Sequence, residues 1–169
     1  MIKSLFVFMI VAFSCVILET AVLSNLLFLP AVPDLLLICL LYVSLNNGSL
    51  YGASSGFISG LLLDFVSASP FGLNCLLRTI IGYVSGKFNK ILNVSGFLLP
   101  ALIGFCATLV KALVIWIISI FFPGSVISYN LISIKFGFEL SLNAVLTPII
   151  FKFLEIFSSM LLLENEDIK

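Results

Sequence analysis

Unbroken apolar runs constrain this chain more than any other feature. A bilayer core of about 30 Å is crossed by roughly 20 apolar residues rising about 1.5 Å each. Six candidate segments follow one another, separated by turn signals. The first spans Leu5 to Leu29 and ends at "LPAVPD", where Pro30 and Pro33 punctuate a loop. The second, Asp34 to Leu45, is short for a full crossing and ends at the polar turn "LNNGS". A third from Ser49 to Val66 and a fourth from Pro70 to Phe88 flank "SASPFG". The fifth covers Gly96 to Phe122, and the uncharged "PGSVISYN", Pro123 to Asn130, leads into a sixth from Leu131 to Leu163. That last run exceeds one span, and Pro148 is expected to kink it by removing a backbone donor.

The chain is therefore expected to be an all-α integral membrane protein with six transmembrane helices in one bundle. Composition agrees: of 169 residues 62% are hydrophobic and 9% charged, against about 25% charged in soluble domains. Eight Lys/Arg balance eight Asp/Glu, so no basic surface recruits nucleic acid. Histidine is absent, which removes His bases, Ser-His-Asp triads and histidine metal sites. Cys15, Cys39, Cys75 and Cys106 stand singly in apolar runs without CxxC spacing and read as small buried hydrophobes. No enzyme, metal site or cofactor is expected.

Lysine bias sets the orientation. With the N-terminus inside, Lys3, Lys87, Lys90 and Lys169 share the inner side, and the loops after segments one, three and five hold no Lys or Arg. Both termini are then cytoplasmic. Residues 1–163 form the membrane domain and 164–169, "ENEDIK", a short cytoplasmic tail. Reading "VAFSC" as a lipoprotein cleavage site fails on the apolar run continuing past Cys15 and on Phe13.

Segment three carries Gly48, Gly52, Gly56 and Gly60 at every fourth residue, with Asp64 next in the series. Such a stripe drifts slowly around a helix and suits close, tilted packing. Segment four repeats it with Asn74, Arg78, Gly82 and Gly86. Intramolecular packing of these faces is the first reading, and a homodimer through them the second.

Ionisable residues in hydrocarbon usually face other helices or a wet cavity. Counting residues from the outer ends puts Glu19 and Arg78 roughly 12 to 14 Å deep. Glu139 falls at a similar level, Lys111 slightly further in, and Asp64 nearer the surface at about 6 Å. Arg78 keeps its charge, so it is expected to bridge Asp64 and Glu19. Three roles remain open for this layer: ion pairs that specify packing, a site for a polar group of a ligand or partner, and proton or ion conduction.

The stretch Pro33 to Phe88 resembles the rod shape-determining protein MreD family. The residues that carry the resemblance are Pro33-Asp34 opening an apolar helix, the glycine-rich helix ending in "GLLLDF", and "SPFGLN" leading into a helix with Gly82-Tyr83. The turn "NNGS" departs from a family pattern that often has basic residues there. The resemblance implies a non-enzymatic, multi-pass protein of the bacterial inner membrane. Its partners would be MreC, the MreB filament and the peptidoglycan synthases of cell elongation. It also implies a fold similar to the substrate-binding subunits of energy-coupling-factor transporters, so a vitamin-binding subunit is the alternative function. The lack of AxxxA spacing in segment one counts against that alternative.

Overall fold

The computed structural model describes residues 2–23, 30–67, 69–89, 91–92, 96–122, 126 and 133–163. Among these residues seven α-helices follow in chain order: α1 Ile2–Ile17, α2 Leu35–Asn47, α3 Ser49–Val66, α4 Leu73–Lys87, α5 Leu98–Phe121, α6 Ile134–Ile156 and α7 Ser158–Leu161. A π-helical turn, Leu18–Val22, continues α1. No strand occurs among the described residues. Among the described residues, four helical stretches are long and apolar enough to cross a membrane: Lys3–Ala21, Ser49–Val66, Leu98–Phe121 and Ile134–Ile156. Lys90, Asn93, Asn130, Lys169 and the 164–169 tail lie outside the described residues.

The 13 residues of α2 reach only about 20 Å at the helical rise. Its run from Leu36 to Leu45 is buried throughout, as befits a helix that is apolar on every side. It is a central pillar packed against α1, α3, α4 and α6. Gly48 reverses the chain between α2 and α3 at φ 95°, a conformation glycine adopts at little cost.

α3 and α4 make the most extensive helix pair. Their register is antiparallel and falls on small residues. A Cβ on Gly52 would strike the Gly82 carbonyl and one on Gly82 the Gly52 carbonyl. A Cβ on Gly60 would lie 2.5 Å from the Cα of Cys75, and one on Gly86 2.5 Å from the Cα of Ser49. Gly56 meets the backbone of Arg78 in the same way. Each four-residue step along α3 is thus matched by four residues back along α4. The hydroxyl of Ser44 on α2 donates to the Gly82 carbonyl, which joins the pillar to this seam.

The expected last segment divides: α6 runs through Pro148 and ends at Ile156, Phe157 breaks the helix, and α7 is a separate turn. Leu161 is fully buried. Its carbonyl accepts from Ser4 Oγ at 2.6 Å and from Asn47 Nδ2 at 3.0 Å, while Leu163 N donates to Asn47 Oδ1 at 2.8 Å. The chain end therefore folds back onto α1 and α2 because Asn47 offers it a donor and an acceptor. Of the cysteines, Cys15, Cys39 and Cys75 are buried, whereas Cys106 is exposed on α5, contrary to expectation. It lines an apolar groove between α4 and α5.

Candidate functional site

Asp34 is where the buried charges converge. Pro33 disfavours helix at the residue before it, so the helix can open at Asp34, whose Oδ1 accepts from Leu37 N at 2.8 Å as an N-cap. Because α2 is short, this cap sits inside the bundle rather than at its surface, and Asp34 is 7% exposed. Arg78 Nη2 of α4 donates to Asp34 Oδ1 at 2.7 Å, and Lys111 Nζ of α5 donates to Asp34 Oδ2 at 2.7 Å. Lys111 Nζ also donates to Glu139 Oε1 of α6 at 2.8 Å. A continuous chain of ion pairs, Arg78–Asp34–Lys111–Glu139, joins α4, the start of α2, α5 and α6.

Neutral groups extend it. Asp34 N donates to Asn143 Oδ1 at 2.9 Å, and Asn143 Nδ2 donates to Thr108 Oγ1 at 3.0 Å. Thr108 in turn donates to the Gly104 carbonyl at 2.8 Å, and Thr147 to the Asn143 carbonyl at 2.5 Å. α5 and α6 are thereby locked antiparallel, with 104, 108 and 111 facing 147, 143 and 139. Glu19, on the π-helical turn after α1, accepts from Leu36 N at 2.7 Å. Two carboxylates from different parts of the chain thus meet free N–H groups at one helix N-terminus, where negative charge is favoured. Arg78 Nη1 is buried and has no hydrogen-bond partner among the described residues.

The expected bridge from Arg78 to Asp64 and Glu19 is corrected by these contacts: Arg78 takes Asp34. Asp64 stands nearer the α3–α4 turn and organises it. Its Oδ2 accepts from Gly72 N and Cys75 N, both at 3.0 Å, and its Oδ1 from Asn74 N at 3.1 Å and Asn74 Nδ2 at 2.9 Å. Asn74 Nδ2 also reaches Ser69 Oγ at 2.7 Å. Asp64 therefore caps α4 from the neighbouring helix, since no side chain of α4's own entry does so. Lys111 and Glu139 pair with each other, and Glu19 lies beside them on Leu36.

Sequence reasoning missed Asp34, Asn143, Thr108 and Thr147. A signal existed for Asp34: an acid directly after proline and before an apolar helix is an N-cap pattern. Among the described residues, no group of three or more Cys, Asp or Glu side chains is placed to share a metal ion. Asp34 and Glu139 are instead both bonded to Lys111. Arg78, Asp34, Lys111 and Glu139 each meet an opposite charge from another element, whereas Glu19 and Asp64 accept from N–H groups.

The model of the family described as rod shape-determining protein MreD matches residues 1–157. No curated protein and no solved structure matches the chain.

Proposed function

The chain belongs to the rod shape-determining protein MreD family, and from that premise we propose that it is a non-enzymatic scaffold of the bacterial cell-elongation machinery. It lies in the inner membrane with six crossings and both termini in the cytoplasm. It binds MreC and, directly or through MreC, the MreB filament and the peptidoglycan synthases. The observation that carries this reading is the ionic chain through Asp34. Its groups are bonded across four helices, an arrangement that favours a fixed framework over a reacting centre. The orientation rests on lysine distribution: Lys3, Lys87 and Lys152 share one end of the bundle, and Lys135 alone of the described lysines marks the other.

Depletion in a rod-shaped host tests the reading. Cells are expected to round up, and crosslinking before depletion is expected to recover MreC. Normal cell shape together with lost vitamin uptake would replace the scaffold by the transporter subunit.

A further inference from the structure

α4 and α5 are joined by a short connection yet touch at few points, and between them the side of α2 forms the floor of a groove of about 370 Å³. Leu41 and Leu45 line the floor, Ile80 and Val84 one wall, Leu102 and Cys106 the other. The surface presented is wholly apolar. Ser85, which also borders it, directs its hydroxyl to Ser44 Oγ at 2.9 Å and to the Ile81 carbonyl at 2.7 Å. In a bilayer such a groove opens to lipid.

Its size selects among apolar occupants. At the roughly 30 Å³ of a water-sized group, 370 Å³ holds about a dozen chain carbons. One turn of a transmembrane helix with its side chains, about 10–12 Å wide and about 5.4 Å long, occupies roughly 400–600 Å³ and is already too large for it. Charge selects further. Lys87, exposed in the last turn of α4, immediately precedes Phe88, which lines the groove, and its Nζ lies 4.8 Å from the centroid of the Tyr83 ring. Among the described residues it has no carboxylate partner. Asn89 follows it at the same end.

We propose that this groove seats one acyl chain of an anionic phospholipid whose phosphate meets Lys87. The site is distinct from the Asp34 cluster and does not depend on the shape-determining role. A lysine near a membrane surface favours an anionic headgroup by about five-fold. The geometry thus gives a lipid site with an apolar slot for the tail and one cation for the head.

Native mass spectrometry of the full chain in mild detergent, reloaded with phosphatidylglycerol or phosphatidylcholine, tests this. One retained lipid is expected, with phosphatidylglycerol preferred about five-fold. Lys87→Gln should abolish the preference and keep the single lipid. Cys106→Trp, which fills the groove from α5, should lose the lipid; Val84→Trp does the same from α4 if the first variant does not fold. Val145→Trp, at an exposed position of α6, a helix that does not line the groove, should retain it. Equal retention of both lipids by the wild-type chain overturns the proposal, as does undiminished retention in the groove-filling variants. So does loss of a copurifying protein, instead of lipid, from those variants.

Discussion

Two aspartates in this chain do different work, and the difference follows from where their helices begin. Asp64 accepts from three backbone N–H groups at the start of α4. Removing a cap costs about 0.5–2 kcal/mol, and leaving buried donors unmatched adds about 1–3 kcal/mol. Asp64→Ala is therefore expected to lower the melting temperature of the purified protein clearly, and Asp64→Asn, which keeps an acceptor oxygen, to lower it less. A wild-type transition in Asp64→Ala would contradict the capping role. Asp34 was hard to read because it opens a helix too short for a full crossing, and a residue at a helix start is expected at the membrane surface rather than among buried charges. Only the shortness of α2 brings that helix start to the level of Arg78. Glu19, Lys111 and Glu139 lie inside helical runs, where residue counting can assign an expected level to each.

At the scale of helices, α3 and α4 are held at backbone contact by glycines on both sides. Overpacking a filled core typically costs about 1–3 kcal/mol. At Gly60 the added atoms would meet Asn74 and Cys75 backbone, which cannot turn aside as a side chain would. Gly60→Leu should therefore prevent accumulation of folded protein. Gly137, also helical, has nothing within 4 Å of an added Cβ, so Gly137→Ala should be neutral or stabilise by up to about 1 kcal/mol. Fluorescence-detected size exclusion of tagged variants checks both, and equal behaviour of the two would contradict the seam. The repeat of glycine every fourth residue was visible in the sequence because periodicity is a local property. The break at Phe157 was not, since it depends on Asn47, more than a hundred residues away, binding the chain at Leu161 and Leu163.

For the whole molecule, one short pillar is surrounded by longer helices, and Asp34 at its buried end receives Arg78 from α4 and Lys111 from α5. Hydropathy made the membrane class and the helix order legible. It left the choice of ionic partners to the tertiary arrangement. The claim that this junction holds the bundle together is tested most directly by a double-mutant cycle on the melting of purified protein, with Asp34→Asn, Arg78→Gln and the two combined. Asparagine caps a helix about as well as aspartate, so Asp34→Asn removes charge without removing the cap. Breaking one side of a buried pair typically costs about 3–5 kcal/mol because a charge is left unmatched. The account predicts that each single change destabilises strongly and that the double variant is much more stable than the sum of the two losses implies. Additive losses, or an Asp34→Asn protein that melts like the wild type, would contradict it.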